Sequence, residues 1–452
     1  MVKNTKNRIV KKNLTIGSCI FVALFLAAII IRHSLSVNEI RPNNFNSNNA
    51  QENLNYTFAD DDWPFWRGRN RDNISQKSFN LDLIHSKKCN FWKAPTQGIS
   101  HASPIGLNNC IFINDTNEEQ NEILATCIDQ KTGQKKWSTV IDKDGYMEKH
   151  KKNSHVSATP LTDGNNFISV FPSRGAIWAV CVNMGGQIAW KTEVGPYVSE
   201  WGYGSSPLLI NDILVIAADN RGAKLGRLMA TSFLAGIDIK TGKIRWRTRR
   251  PEERSYGTPA MLDFENQIEI LLAGSGRISS YDANSGTLIW EHKETIERTA
   301  NTISVFENKI IITYNQPQKK TICLERLSKK PWVKKNWEAT NFGADVPTPV
   351  IDGDNLYLID DSGQLYWVKM SSGELIKKTR ITRKPVSSSP LIIGETILIL
   401  DETGSAITIN KSLDENTLKT RHLGESVLSS PIVFKNSLII RSEISVWCFS
   451  ND

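Results

Sequence analysis

Cysteine is scarce in this chain, with seven in 452 residues, and no two of them make a Cys-x-x-Cys pair. That excludes a zinc ribbon, which needs paired thiolates close in sequence. His-Glu-x-x-His, Gly-x-Ser-x-Gly and a phosphate-cradling glycine loop with its lysine are also missing, so the common metalloprotease, serine-hydrolase and nucleotide-hydrolase signatures have no footing. No residue is assigned as catalytic or as a metal ligand. The basic excess is also less than it looks. Of the net charge of +8, six positive charges (Lys3, Lys6, Arg8, Lys11, Lys12 and Arg32) stand in the first 32 residues with no acid among them. The remainder is close to neutral, and a nucleic-acid partner is not implied. Basic clusters at Arg245–Arg250 and Lys149–Lys152 read as solvated faces, or else as contacts to an anionic partner.

What the chain has is repetition. Eight times, every 41 to 56 residues, a small-residue run, usually ending in proline, opens an apolar strand: His101–Pro104, Ser157–Pro160, Gly204–Pro207, Tyr256–Pro259, Arg298–Asn301, Val346–Pro349, Ser387–Pro390 and Ser429–Pro431. β-branched runs of strand length follow, separated by Gly, Asn and Asp. A period of this length holding about four short strands predicts a β-propeller, one blade per repeat. Several units close on Asp-x-x-x-Gly-x-x-x-Trp: Asp129, Gly133 and Trp137; Asp238, Gly242 and Trp246; Asp282, Gly286 and Trp290. The Asp side chain can bond backbone two residues on, and Gly supplies the positive φ of the hairpin turn. The Trp, four residues later, faces one side and fills the wedge between sheets, where each contributes about 2–3 kcal/mol of apolar burial. The second unit keeps Gly186 and Trp190 after a shorter turn, the sixth has Lys377 where Trp belongs, and the seventh has lost the pattern.

The eighth unit stops one strand short. The stretch Lys88–Ala94 is expected to supply that strand, with Trp92 in the docking position, because pairing first and last segments closes the ring and removes two sheet edges. The fold expected is therefore all-β: an eight-bladed propeller of four-stranded antiparallel blades closed by an N-terminal strand, with seven blades plus an irregular one as the alternative. Cys89 and Cys448 would then lie on adjacent strands, and Cys110 and Cys127 within the first blade. Either pair could form a disulfide in an exported compartment, or the thiols could be small buried hydrophobes.

The recurring Asp-x-x-Thr/Ser-Gly-x-x-x-Trp resembles the tryptophan-docking repeat of pyrroloquinoline-quinone-like β-propellers. That family includes quinoprotein alcohol dehydrogenases and a non-catalytic propeller lipoprotein of the bacterial outer-membrane assembly machinery. Asp62–Ser75, reading Asp-Trp-Pro-Phe-Trp-Arg-Gly-Arg-Asn-Arg-Asp-Asn-Ile-Ser, resembles the opening of a membrane-associated bacterial subgroup. The likeness spans roughly residues 62–450 and implies a fold more firmly than an activity. The family's dehydrogenases carry adjacent cysteines over the quinone and a calcium held by Glu, Asn and Asp. This chain has no such cysteine pair, so no cofactor is expected.

Residues 1–14 form a basic tail, and 15–32 hold an uncharged apolar run flanked by Arg32, long enough to span a bilayer. The basic flank predicts a cytoplasmic N-terminus, with the propeller on the periplasmic or extracellular side of the cell membrane; a cleaved signal peptide is the alternative. Residues 33–60, rich in Asn, read as a flexible tether, and 61–452 as the propeller. The segments before the innermost strands should converge on one mouth of the central channel. They nominate His101, His155, Tyr197, Trp201, Tyr203, Arg254, Tyr256, Arg298 and Asp345 as binding residues; aromatics and arginines favour binding hot spots. Trp92, Trp137, Trp190, Trp246 and Trp290 are the structural docking residues. Two functions follow: a monomeric, membrane-anchored scaffold that binds a protein or envelope polymer, or a quinone-dependent oxidoreductase with its ligand in the channel.

Overall fold

The computed structural model describes residues 37–42, 58–75, 79–86, 90–220, 230–251, 255–274 and 276–450. The expected anchor, Cys19, Cys89 and Arg254 lie outside these residues. Among the described residues no helix is long and apolar enough to cross a membrane.

Eight sheets, each built on four antiparallel strands, succeed one another along the chain. Blade 3 illustrates the gradient within each. Its inner strands, Leu208–Ile210 and Ile213–Ala218, are buried throughout, whereas the outer strand Ile244–Arg249 buries little beyond Trp246. Blade 8 takes Ile432–Phe434, Ser437–Arg441 and Ser445–Ser450 from the C-terminus and Asn90–Pro95 from the N-terminal side. In that closing pair Trp92 stands opposite Cys448. The ring is closed as the truncated eighth repeat required.

The tryptophans dock across blades rather than within them. Each indole lies on the turn glycine of the following blade and donates Nε1–H to a nearby carbonyl: Trp92 to Gln130 at 2.9 Å, Trp137 to Met184 at 2.9 Å and Trp190 to Ile239 at 3.0 Å. Trp246 docks over Gly286 without an acceptor for its N–H among the described residues. Trp290 departs from the series. The hairpin of blade 5 has no Asp-x-x-x-Gly, and Trp290 bonds Glu269 of its own blade at 2.8 Å instead. Trp337, which was not among the nominated tryptophans, completes a set of five: it lies over Gly373 and donates to Met370 O at 2.9 Å.

The small residue before each proline has a structural task. Its backbone N–H donates to the hydroxyl of its counterpart in the next blade: Ser103 to Thr159, Thr159 to Ser206, Ser206 to Thr258, Thr302 to Thr348, Thr348 to Ser389, Ser389 to Ser430 and Ser430 to Ser103, at 2.9–3.1 Å. A residue before proline is held extended, and a short hydroxyl side chain fits a narrow hub. The fifth copy sits two residues later than Arg298–Asn301 suggested: Thr302, followed by Ile303 rather than proline, takes the ring position.

Buried ion pairs join or brace the blades. Arg441 is fully buried and reaches Asp115 of blade 1 at 3.1 Å, and Arg326 reaches Glu269 of blade 4 at 2.6 Å. Arg250, which the sequence offered as part of a solvated basic cluster, is buried instead. It makes two hydrogen bonds to Asp219, at 2.8 and 3.0 Å, and a third to Tyr281 of blade 4. The tether region also departs from a loose strand where it is described. Val37 is buried, and Ile40 exchanges backbone hydrogen bonds with Arg247 on the outer strand of blade 3. Cys110 and Cys127 form no disulfide; the hydrogen bond from Cys127 pulls the Cys110 thiol down to about 7, with Lys136 Nζ 3.7 Å from its sulfur. Of the two alternatives the sequence left open for this pair, the structure has the free thiols.

Candidate functional site

Residues 62–75 close one end of the channel. Trp63 pairs with Gly106 of blade 1, Thr162 of blade 2 donates to Pro64 O at 3.1 Å, and Arg71 donates to Leu209 O of blade 3 at 2.7 Å. On the far side Arg67 donates to Pro349 O of blade 6 at 2.7 Å, Asn73 to Pro390 O of blade 7, and Ile74–Ser75 adds a short parallel strand beside Leu391–Ile393. To pass from blade to blade in so few residues the chain turns through left-handed conformations at Arg67, Gly68, Arg71 and Asn73. Non-glycine residues hold that geometry only where surroundings over-determine it. Contacts with six blades supply that constraint. The channel is thus a blind cup.

Its floor is Trp66, whose Nε1–H donates to Thr302 Oγ1 at 3.1 Å, and its wall carries the hydroxyl ring. The cup holds about 400 Å³. Charged and aromatic groups crown the rim in opposed pairs. His101 Nε2 faces Glu443 at 3.2 Å; Lys152, from the connection between blades 1 and 2, reaches Glu402 of blade 7 at 3.0 Å; Arg298 faces Asp345 at 3.4 Å. Trp201 sits among them, tilted against His150 at 4.5 Å and under the Arg298 guanidinium at 5.5 Å, with its buried Nε1 unpartnered among the described residues. Burial, aided by the neighbouring Asp361, pushes the Asp345 carboxyl up to about 6 against the pull of Arg298. The hydrogen bond from His101 holds Glu443 below its ordinary range despite partial burial.

Four of the expected residues, His101, Trp201, Arg298 and Asp345, line this cup together, and Tyr256 joins them. The structure takes three others elsewhere. His155 stacks flat on Tyr146 at 3.8 Å, and burial pushes its imidazole down to about 4. Tyr197 and Tyr203 pack edge to face at 5.3 Å inside blade 3 and donate to Gly202 O and Ala217 O. Trp66, Lys152, Asp361 and Glu402 belong to the cup and were not nominated. Trp66 was visible in the opening motif, but nothing in its spacing announced a channel floor.

Among the described residues no three His, Cys, Asp or Glu side chains converge to hold a metal ion. Nor does the rim offer adjacent cysteines. The donor set does not fit a quinone–calcium centre, and no redox step is assigned to it.

The family described as outer membrane protein assembly factor BamB matches residues 230–322 and 325–418. An outer membrane protein assembly factor BamB from Moranella endobia (strain PCIT) is 20% identical over 290 residues, covering 64% of this chain and 57% of that relative. The likeness thus spans little more than half the length of that relative. Among solved structures, BamB from Moraxella catarrhalis superposes with a TM-score of 0.57 at 12% identity, over 79% of this chain and 96% of that one. A europium-containing methanol dehydrogenase does so with a TM-score of 0.61 at 9% identity, over 86% and 91%. At such identities the structural likenesses speak for the fold alone.

Proposed function

We propose that this member of the propeller family of pyrroloquinoline-quinone-like repeats is a non-enzymatic scaffold that captures a protein or envelope-polymer segment in its blind cup. The observation that carries the reading is the cup itself. It is a closed hub with a half-buried indole, an arginine and a half-buried carboxylate at one mouth, and a plug that forbids passage through the other. Such a cup suits a protruding loop or chain end rather than a threaded polymer, and Trp201 with Arg298 has the composition of a hot spot. The likeness to outer-membrane assembly factors supports a protein partner. The apolar run at 15–32 with its basic flank supports an uncleaved anchor that holds a monomeric propeller outside the cytoplasm.

A photo-reactive amino acid at position 201, in cells that make the protein, should cross-link one partner, identifiable by mass spectrometry. The same probe at position 70, on the plug face, should not capture it, and Arg298→Ala should abolish the adduct. Equal capture from both faces would overturn the cup as the binding site. For the oxidoreductase alternative, a stoichiometric chromophore retained after addition of pyrroloquinoline quinone and calcium would reverse the assignment.

A further inference from the structure

On the opposite side of the plug from the cup lies a second cavity, of about 200 Å³, between residues 65–71 and the inner strands of blades 3, 4 and 5. Its walls are mostly apolar, with Leu208, Met261, Ile303 and Phe65 among them, yet it also takes two guanidinium groups, Arg67 and Arg71, and among the described residues no carboxylate lines it. Arg67 is 4% exposed. Its Nε and Nη2 donate only to the neutral carbonyls of Arg71, Asp72 and Pro349, and Nη1 has no acceptor among the described residues. Arg71 lies over the Phe65 ring at 4.4 Å and donates to Leu209 O. Neither guanidinium has a carboxylate within ion-pair distance among the described residues. The neighbouring Asp72 is spent on the Ile74 amide at 3.0 Å, and burial pushes its own carboxyl upward, towards the neutral form.

A buried cation and a half-buried one, hydrogen-bonded to carbonyls and with only the through-space pull of Asp72 on Arg67, are an expensive arrangement, because a charge removed from water needs a counter-charge to be stable. The cost is visible in the guanidinium groups, both of which burial pushes down to about 10. From the cavity and the unmatched pair, we infer that this pocket binds a carboxylate carrying a short apolar body, either a small free acid or the C-terminal residue of a peptide. The planar fork of an arginine matches the two oxygens of a carboxylate. The apolar strands account for the rest of the space, which a bare phosphate or sulfate would leave unfilled. This site is distinct from the cup and does not depend on what the cup holds.

Calorimetric titration of the full chain with 4-methylpentanoate tests the inference. Saturable binding is expected, with affinity at least about tenfold above that for acetate because the apolar body adds buried methylenes. The neutral 4-methylpentanamide should give no saturable heat. A short peptide ending in leucine separates the sources: binding with a free C-terminus but not an amidated one assigns a chain end, and binding of the small acid alone assigns a metabolite. Arg71→Gln should weaken binding about tenfold through loss of a charge-assisted contact. Met261→Trp should abolish it by filling the space from blade 4 without touching either guanidinium. The acid-to-amide comparison needs no variant, so misfolding of either one leaves the test intact. No saturable binding of acid or peptide, equal binding of acid and amide, or tighter binding of inorganic phosphate would each overturn the proposal.

Discussion

An indole docked between blades needs a surface without a side chain beneath it. At Gly286 a Cβ would stand 2.3 Å from the Trp246 ring, and the φ of +68° adds a second demand that L side chains meet poorly. Gly353 shares the left-handed φ, at +59°, but has nothing within 4 Å of the position its Cβ would take. The pair therefore separates backbone strain from docking. Gly353→Ala should cost about 1–2 kcal/mol, the left-handed penalty alone. Gly286→Ala should cost about 1–3 kcal/mol more, for overpacking against the ring. Guanidinium denaturation of the two variants reads the difference, and equal midpoints would remove the docking role. A second residue-scale expectation concerns Arg250. Asp219→Ala strands a guanidinium that is almost wholly buried, at a cost of about 3–5 kcal/mol, whereas Asp219→Leu with Arg250→Met should recover most of it. Nothing in the run Arg245–Arg250 marks its last member as interior. The partner Asp219 stands 31 residues earlier, a separation that only the closed blade brings together.

Among elements, the closing strand and the plug were legible to different degrees, for a physical reason. Asn90–Pro95 could be placed because Trp92 repeats a feature of its neighbours and the last blade lacked a strand. The docking role of Trp337 escaped notice because the hairpin before it, at 327–332, has no Asp-x-x-x-Gly to register it. The plug occurs once, so no repetition exposed its role, and its contacts fall on blades 1, 2, 3, 5, 6 and 7. Its left-handed residues follow no helix or strand period. The closing strand also differs energetically from its counterparts. Trp92→Ala and Trp190→Ala remove the same chemistry at the same kind of joint, but only the first loosens the joint between the two chain ends. Opening there needs no internal loop to break, so Trp92→Ala should accelerate unfolding more than Trp190→Ala for a similar loss of equilibrium stability. Stopped-flow unfolding in denaturant measures both. Equal unfolding rates would mean that the ring does not open first at blade 8.

Taken as a whole, the molecule gathers charge at its hub, paired around the cup and without ion-pair partners among the described residues at Arg67 and Arg71 of the plug, while the joints between blades are neutralised by pairs such as Arg441 with Asp115 and Lys191 with Asp142. At the hub, Asp345 is a carboxyl displaced towards neutral pH. Its half-buried carboxyl, close to Asp361, is pushed up to about 6 although Arg298 draws it down. A carboxyl whose folded pKa exceeds its unfolded one binds its proton more tightly in the native state. Its contribution to stability is therefore complete below about pH 4 and is lost as pH rises through about 6. Asn imitates the protonated form, so Asp345→Asn should match the parent protein near pH 4 and exceed it in stability near pH 7, the margin opening between those limits. Chemical denaturation across that range measures it, and a constant margin would show that Asp345 is not the titrating group. Above pH 6 the parent protein keeps an unfavourably buried negative charge beside Trp201, whose own N–H has no acceptor among the described residues. That cost is recovered when a donor or cation from a partner enters the cup. Binding at this mouth should therefore tighten with rising pH through the same window in which the empty propeller loses stability, and Asp345→Asn should flatten both curves together.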